Sequence, residues 1–539
     1  MVTIITELSK YAMILSLAIY TVLGFRLVRR DEAGKKAALW QQNVLMFGMQ
    51  FLGNLTLYLS TENEKILLFY IAQLGASILF LVLQRVIYPN ADQLLNHNML
   101  LLLSVGLLML ARLSFDKAER QAELAALAAV LTFVIPVIIR KSGRLRNLYW
   151  LYGAAGFGLL AVVFIAGSIT HGAKLSITVY GITLQPSELV KVLFVFFVAG
   201  MLHEAVDFKR IVLTSALASA HVLLLVVSKD LGAALIFFVT YLVMLYVASR
   251  QPLYFLGGLL AGSAAAWVAW KLFAHVQTRV LAWSDPFSVI DKEGYQIAQS
   301  LFAIGTGGWF GLGINQGMPY KIPVVEQDFI FSAIAEEMGI LFALLLIFIY
   351  LSSFYMILNI AIVLKDSYYK LVAVGLGTLM IFQVFLSIGG VTKFIPSTGV
   401  TLPFVSYGGS SLLGSFLIWS VIQGMYLKRS DEVTKVEREA DEEKAKKEKN
   451  QNNQNNQNNR EYSFVLYLFT GLFVMLIGYV SMFQITKSRE VINNPYNARL
   501  EAFENKVIRG SILASDGQQL AYTEVDQNGT ETRKYPFGC

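Results

Sequence analysis

Ionisable side chains at the ends of long apolar runs are the residues of this sequence most able to do chemistry. Glu188 and Lys191 lie three residues apart in QPSELVK (185–191), so they share one face of a helix. Charge in or near hydrocarbon is costly and usually lines a cavity or a pathway. The pair is therefore either an internal ion pair that fixes helix packing or, with Gln185 and Ser187, part of a polar cavity.

A further acidic group follows the longest connection between two apolar runs. Asp328 comes directly after segment 274–327, and Glu336 and Glu337 lie deeper in the same apolar run. An Asp in this place is a good helix N-cap, or it lies at the mouth of a cavity. Two carboxylates inside a span are unusual, and Glu337 needs a cationic partner, for which Lys393 is one candidate.

Small and hydroxyl residues are concentrated in PFVSYGGSS (403–411), which begins another apolar run. Ser406, Ser410 and Ser411 can hydrogen-bond across helices, and small residues allow helices to pack closely. The segment serves either helix packing or substrate contact. The sequence contains no P-loop, HExxH or EF-hand motif and no dedicated metal site.

The composition places these residues in a membrane protein. Of 539 residues, 55% are apolar (AVILMFWYC) and 15% are charged, and the mean hydropathy is +0.56. An average soluble chain has about 25% charged residues. The composition therefore excludes a water-soluble enzyme, a disordered protein and a fibrous repeat. The single cysteine, Cys539, cannot form a disulfide within one chain.

Fourteen apolar runs are long enough to cross about 30 Å of hydrocarbon as helices. The predicted fold class is an all-α polytopic membrane protein of about 13 spans, followed by one further transmembrane helix and a short β-containing extracellular fragment. The runs are 11–28, 39–59, 66–88, 98–115, 122–140, 148–167, 185–202, 211–228, 231–249, 254–273, 328–353, 371–391, 403–427 and 463–482.

The distribution of Lys and Arg predicts the orientation of these spans. Basic residues cluster after the runs 11–28, 122–140 and 185–202, so these connections are cytoplasmic and the chain begins outside. Arg112, Lys117 and Arg120, in one short connection, disagree with this assignment, although Asp116, Glu119 and Glu123 accompany them.

Two connections on the external side are long enough to act on a substrate: 168–184 and 274–327. The second is rich in Gly and aromatic residues and has no obvious helical period, and such long connections are more often functional than idle.

A polar linker divides the chain. Residues 428–449 hold eight basic and eight acidic residues, which argues against a nucleic-acid-binding tail and favours either a solvated helix or disorder. The repeat NQNNQNNQNN (450–459) is typical of a flexible linker. In 510–523 the Asp516-Gly517 pair predicts a β-hairpin. We expect residues 483–539 to be part of a larger C-terminal domain.

Five motifs, taken together, resemble the SEDS family (shape, elongation, division and sporulation; RodA/FtsW-like). They are QPSELVK (185–191), WSDPF (283–287), GYQIAQSLFAIGTGGWFGLGINQG (294–317), DFIFSAIAEEMG (328–339) and PFVSYGGSS (403–411). The resemblance implies a ten-span glycosyltransferase core over 98–427, with three extra helices in 1–97. It also implies a bacterial plasma-membrane enzyme of cell elongation or division, with its active site on the extracellular face.

The resemblance assigns roles to individual residues. The family polymerises lipid II, a lipid-linked disaccharide-pentapeptide, into peptidoglycan glycan strands, and undecaprenyl pyrophosphate leaves with inversion. Asp328 matches the family's essential Asp and would deprotonate the acceptor hydroxyl. Lys174, Arg279 and Lys393 are candidates to bind the pyrophosphate, or Mg²⁺ or another divalent cation does so. The further candidates for substrate binding are Gln185, Ser187, Glu188, Lys191, Glu337, Ser406, Ser410 and Ser411.

A second resemblance covers the C-terminal part. NNPYNAR (493–499), RGSI (509–512), Asp516-Gly517 and RKYP (533–536) resemble the start of a class B penicillin-binding protein. This implies a linker over 428–462, a membrane anchor over 463–482 and a partial pedestal over 483–539, without the transpeptidase domain. The pedestal would dock on the external face and order the catalytic loop. The implied partners are lipid II, lipid-linked glycan, membrane lipid and other cell-wall synthesis proteins, and no nucleic acid.

Three motifs depart from the family pattern and leave alternatives open. Gly172-Ala173-Lys174-Leu175-Ser176-Ile177 lacks the family's Arg and Trp, Lys229 stands where the family has Pro before Asp-Leu-Gly, and Glu326-Gln327 replaces His-Thr. The alternatives are a lipid II flippase and a catalytically weak scaffold for a transpeptidase.

Overall fold

A computed structural model of the chain describes residues 2–27, 32–170, 173–179, 182–204, 207–443, 460–500, 510–525 and 531–537. Its helices, in chain order, are α1 (Val2–Leu27), α2 (Glu32–Thr61), α3 (Glu64–Ile87), α4 (Gln93–Leu113), α5 (Phe115–Ala129), α6 (Leu131–Lys141), α7 (Tyr149–Ala166), α8 (Pro186–Leu202), α9 (Phe208–Val227), α10 (Leu231–Ser249), α11 (Pro252–Leu272), α12 (Ala274–Ser284), α13 (Tyr295–Gly307), α14 (Ile330–Val363), α15 (Ser367–Val391), α16 (Gly409–Glu443), α17 (Arg460–Thr486) and α18 (Ser488–Ile492).

The all-α polytopic fold class is confirmed. Within the described ranges, twelve helices are long and apolar enough to cross a membrane, α5 and α6 together forming one of them. The two remaining predicted spans, 39–59 and 185–202, form helices that fall outside this set. Helix α2 carries Gln and Asn side chains along its length, and α8 has 17 residues.

In the part of the chain that the structure describes, two small antiparallel sheets accompany the helices. Strands β1 (Ser168–Thr170), β2 (Ala173–Val179) and β3 (Ile182–Leu184) pair in the order of the chain, before α8. Strands β4 (Ile512–Leu513), β5 (Gln519–Val525) and β6 (Glu531–Lys534) form the second sheet. The turn between β4 and β5 contains Gly517 at φ +85°, a conformation that glycine adopts readily. The predicted hairpin at Asp516-Gly517 is confirmed.

Three predicted boundaries are wrong. Segment 274–327 is not a structureless loop, because it contains α12 and α13, which are short and therefore carry a weak periodic signal. Helix α14 begins at Ile330 rather than at 328. Helix α16 begins at Gly409 rather than at 403, because the Pro-containing residues before it form an irregular segment.

Aspartate and proline set several of the helix starts. The side chains of Asp92, Asp207, Asp230 and Asp366 each accept a backbone N–H in the first turn of the helix that follows. Proline occupies the first turn of α8 and α11, where a missing N–H costs no hydrogen bond.

Helices α4, α14 and α15 form the centre of the bundle. The apolar window of α15 is wholly buried, that of α4 is nearly so, and α14 passes beside both. Helix α17 packs against α14 and α15 through ring contacts of Phe469 with Phe354 and Phe382. We call the end of the bundle where α14 begins the Asp328 end, and the opposite end, where α4 begins, the Asp92 end.

The carboxyl group of Asp92 should make the stability of the fold depend on pH. Burial raises its pKa to about 6, although the N–H of Leu95 and the charges of Arg429 and Lys35 act in the opposite direction. A carboxyl whose pKa is higher in the folded state stabilises the fold at low pH and loses that contribution as pH rises through the folded pKa.

We therefore expect Asp92→Asn, which keeps an N-cap side chain, to raise the unfolding temperature above about pH 6 and to leave it unchanged below about pH 4. Thermal unfolding of the detergent-solubilised protein across this pH range measures the effect. A shift of equal size at both ends of the range would contradict it.

Candidate active site

Asp328 lies in a non-helical segment at the end of the bundle where α14 begins. It is half-buried and stands two residues before α14, whose N-cap is Phe329 and has no side-chain capping bond. The interpretation of Asp328 as a helix N-cap is therefore wrong. Its carboxylate faces the α15–α16 connection: a Cβ built on Gly399 would lie 3.5 Å from Asp328 Oδ2, and Gly399 has φ +70°.

The α15–α16 connection, residues 392–408, contacts the neighbouring helices α10 and α12 as well as Asp328. The guanidinium of Arg279, on α12, donates to the carbonyl oxygen of Ser397 over 3.1 Å. A Cβ on Gly232, at the start of α10, would lie 2.4 Å from Val400 Cγ2, so the connection lies directly against that helix. Glycine at 232 is what permits this approach.

Asp230, Arg279 and Asp328 form one electrostatic group. Burial lowers the pKa of the Arg279 guanidinium, while the carboxylates of Asp230 and Asp328 act in the opposite direction. Burial also raises the pKa of Asp230, although its carboxylate accepts the N–H of Ala233 over 3.1 Å. Arg279 thus carries positive charge within electrostatic reach of both Asp230 and Asp328, which suits the binding of a polar substrate that carries its own charge.

The Glu188–Lys191 pair forms as predicted and connects to this group. Lys191 Nζ lies 2.8 Å from Glu188 Oε2 and donates to Gln383 Oε1 over 2.9 Å, and Lys191 is 3% exposed. Ser187 Oγ donates to Asp230 Oδ2 over 3.4 Å. A small cavity opens beside Glu188 and Gln383. The pair thus fixes helix packing, and the cavity beside Glu188 is lined mostly by apolar side chains, among them Met380, Phe404 and Ile418.

The hydroxyl residues of 403–411 contact protein groups. Ser406 Oγ accepts the N–H of Leu402 over 2.9 Å and donates to the carbonyl oxygen of Gln327. Ser410 Oγ accepts the N–H of Gln185 over 2.9 Å, and Ser411 Oγ lies 2.7 Å from Thr401 Oγ1. These contacts hold residues 392–408 in place, as expected of the packing alternative.

The predicted partner of Glu337 is wrong. Glu337 Oε1 pairs with Arg112 Nε over 3.0 Å, while Lys393 lies beside α12 and α17. The carbonyl oxygen of Lys393 accepts hydrogen bonds from Trp283 Nε1 and Tyr479 Oη. Burial lowers the pKa of the Lys393 side-chain amine. The signal for Arg112 was its disagreement with the positive-inside pattern, since a basic residue at this end needs an acidic partner.

Glu336 has a partner that is distant in the sequence. Arg499 Nε and Nη2 lie 2.8 and 3.0 Å from the two carboxylate oxygens of Glu336, and Arg499 is 1% exposed. Its other donors reach Gln299 Oε1 and the carbonyl oxygen of Met318. A bidentate, buried pair of this kind binds the segment after α17 to α13 and α14. Sequence reasoning named the 493–499 motif but assigned Arg499 no contact.

A glycine-rich segment, residues 308–317, fills a break in α14. Gly339 has φ +88° and interrupts the helix. The N–H groups of Leu312 and Gly313 donate to the carbonyl oxygens of Glu336 and Glu337 over 3.0 and 2.8 Å. The N–H groups beyond the break, of Ile340 and Leu341, donate to the carbonyl oxygens of Gly308 and Trp309.

Within a membrane, the N–H and C=O groups of non-helical backbone must hydrogen-bond to other protein groups. Segment 308–317 supplies these hydrogen bonds and so allows the break in α14. A Cβ on Gly311 would lie 2.3 Å from the carbonyl oxygen of Glu337, so glycine is required there. The break sets the direction of the short helical portion that follows Asp328.

The described residues do not fit a resident metal. Among them no group of three or more His, Cys, Asp or Glu could hold a metal ion, and Arg279 supplies the positive charge near Asp230 and Asp328. The side chain of Lys174, in β2, lies outside the described side chains, so this candidate stays a prediction.

Comparisons with known proteins match most of the helical bundle. A family model described as "Cell cycle protein" (FtsW, RodA, SpoVE) matches residues 92–430. Peptidoglycan glycosyltransferase RodA of Mycobacterium bovis is 35% identical over 367 residues, which is 62% of this chain and 77% of that protein. Stage V sporulation protein E of Bacillus subtilis is 32% identical over 348 residues, 60% of this chain and 93% of that protein.

Two solved structures share the fold. One, reported as "Structural coordination of polymerization and crosslinking by a peptidoglycan synthase complex", has a TM-score of 0.54 and 25% identity and covers 63% of this chain and 98% of that one. A variant of the rod shape determining protein RodA of Thermus thermophilus has a TM-score of 0.50 and 22% identity, with the same coverage.

The Arg499–Glu336 pair should carry much of the stability of this region. Removing one partner of a buried pair leaves an uncompensated charge, at a cost of about 3–5 kcal/mol. We expect Arg499→Gln to lower the unfolding temperature of the solubilised protein well below that of the wild type, and Arg489→Gln, at an exposed arginine of α18, to leave it unchanged. Equal unfolding temperatures for both variants would contradict this.

Proposed function

The chain belongs to the FtsW, RodA and SpoVE family of cell cycle proteins, and we propose that it polymerises peptidoglycan from lipid II at a site around Asp328. One relative at 35% identity is named peptidoglycan glycosyltransferase RodA, and one at 33% identity is named probable peptidoglycan glycosyltransferase FtsW. The chain is thus a glycosyltransferase of glycan-strand synthesis in cell elongation or division. The observation that carries the proposed site is the meeting of Asp328, Arg279 and residues 392–408. Arg279 donates to the carbonyl oxygen of Ser397 and is within electrostatic reach of Asp328, whose carboxylate faces Gly399.

Asp328 is the proposed general base. In the reaction, the acceptor hydroxyl oxygen forms a bond to the anomeric carbon of the donor, and the bond from that carbon to the pyrophosphate oxygen breaks with inversion. The hydroxyl proton passes to the Asp328 carboxylate, and the lipid pyrophosphate takes the electron pair. A positioned base contributes about 10²–10⁴-fold, and orientation of the two sugars supplies a large further part.

The departing pyrophosphate requires positive charge. Arg279 is within electrostatic reach of Asp328. Burial lowers the pKa of His275, and the charges of Arg279 and Lys229 lower it further, so both cations are within electrostatic reach of His275. We assign the binding of the pyrophosphate to Arg279 and Lys229. The binding of Mg²⁺ or another divalent cation stays a prediction, in which the cation enters the site with the pyrophosphate of the substrate. Titration of the glycan-synthesis reaction with EDTA tests this prediction.

The proposed active site lies on the extracellular face. Lys and Arg are concentrated in the connections of the Asp92 end, as the positive-inside rule requires of the cytoplasmic side. Two of the three basic residues that disagree, Arg112 and Lys117, form ion pairs with Glu337 and Glu326 at the Asp328 end. Their placement therefore has a local cause and does not count against this orientation.

The segment from α17 onward is the proposed anchor and pedestal of a class B penicillin-binding protein. Its support is the 493–499 motif, the packing of Phe469 on α14 and α15, and the burial of Arg499 against Glu336. Because both units belong to one chain, the contact forms at a high effective concentration. The similar structure of a peptidoglycan synthase complex fits this arrangement.

Loss of the Asp328 carboxylate should abolish polymerisation. We expect Asp328→Asn, an isosteric change, to reduce the rate of glycan synthesis by about 10²–10⁴-fold, because the variant cannot accept the proton. The measurement is the formation of glycan ladders by the purified full chain from lipid II. Asp291→Asn, at an exposed carboxylate of the same connection, is the matched control and should retain the wild-type rate.

A variant Asp328→Asn that still makes glycan ladders at the wild-type rate would overturn the assignment of the base. Absence of product from the wild type, together with transport of lipid II across vesicles, would favour a flippase. Absence of both product and transport, with tight binding to cell-wall synthesis proteins, would favour a scaffold.

A further inference from the structure

Helix α1 lies outside the region that the family model matches, yet it packs on the centre of the bundle. Its buried residues recur every three or four positions, as expected of a helix with one face against protein. Among them are Thr6, Ser9, Met13, Leu17, Tyr20, Leu23 and Leu27. Leu8 and Leu15, on the opposite face, are each more than 60% exposed and free to meet lipid.

A buried polar network fixes the middle of α1 to α4 and α14. Tyr20 Oη donates to Asn98 Oδ1 over 3.0 Å. Asn98 Nδ2 in turn lies 3.0 and 2.9 Å from the hydroxyl oxygens of Ser352 and Ser353, which belong to α14. Buried hydrogen bonds between helices hold α1 at one height and one rotation relative to α14.

The beginning of α1 contacts the segment 308–317 that fills the break in α14. Lys10 Nζ donates to the carbonyl oxygen of Gly311 over 3.1 Å and pairs with Glu7 over 2.7 Å. The ring of Tyr11 packs on Phe310 with centroids 5.3 Å apart. A Cβ on Gly313 would lie 3.1 Å from Thr6 Cγ2.

Segment 308–317 is therefore held on two sides. On one side Lys10 and Tyr11 contact Phe310 and Gly311, while the next two residues donate to the backbone of α14. On the other side Arg499 contacts Glu336 and the carbonyl oxygen of Met318, directly after the segment. The break in α14 that the segment fills is eleven residues from Asp328.

We propose that α1 is a brace for segment 308–317, and that Lys10 and Tyr11 are positioning residues for glycan polymerisation. The brace acts through the break in α14 and thereby sets the placement of Asp328. The effect of α1 on the rate of polymerisation rests on the proposed function. Its effect on the order of segment 308–317 rests on the contacts alone.

The test compares the full chain with Lys10→Met and Tyr11→Ala. Lys10→Met keeps the length of the side chain and removes the donor to Gly311, and Lys10→Arg should restore it. Leu15→Ala, on the lipid-facing side of α1, is the matched control. Two quantities are measured: kcat and KM for glycan synthesis from lipid II, and amide hydrogen exchange of a peptide that covers 308–318.

We expect each of Lys10→Met and Tyr11→Ala to lower kcat by about 10-fold with KM unchanged, since small misplacements at a distance carry such costs. Exchange in 308–318 should accelerate in both variants, and the unfolding temperature should fall by no more than it does for Leu15→Ala. Lys10→Arg should recover both the rate and the protection.

Wild-type exchange in 308–318 for both variants would overturn the brace, whatever the rates. If the wild type makes no glycan, the proposed function fails, and the exchange measurement still decides the brace. Loss of rate equal to that of Leu15→Ala would assign α1 a general structural role and contradict the proposal.

Discussion

The interruption of α14 at Gly339 is the constraint on which the rest of the candidate site depends. An open helix inside a bundle leaves backbone donors and acceptors without partners, and water is not there to satisfy them. Residues 308–313 supply four backbone hydrogen bonds across the break. Glycine is required at 311 and 339, because a Cβ added at either position would lie within 2.6 Å of neighbouring backbone atoms.

Two buried carboxylates next to the break then require cations, and both come from distant parts of the chain. Arg112 reaches Glu337 from α4, and Arg499 reaches Glu336 from beyond α17. The same short region thus joins the family core, the C-terminal segment and, through Lys10, helix α1. Asp328 lies at the start of this region, so its position depends on the family core, the C-terminal segment and helix α1.

The sequence predicted the parts of this site that rest on local pattern. The Glu188–Lys191 pair is a helix spacing of three, and the apolar runs gave the spans. It could not predict that Arg112 rather than Lys393 pairs with Glu337, because that choice depends on which helices become neighbours. Helices α12 and α13 were missed because 11 and 13 residues between aromatic and glycine clusters give little periodicity.

The central claim is that the filled break in α14 places the polymerising site, and substitution of Gly339 tests it most directly. Glycan synthesis from lipid II by Gly339→Ala should fall to background, although residue 339 touches no substrate, since alanine at φ +88° is strained and its Cβ meets Gly311. Gly478→Ala, where the space is open, should keep the wild-type rate. A wild-type rate for Gly339→Ala would contradict the account.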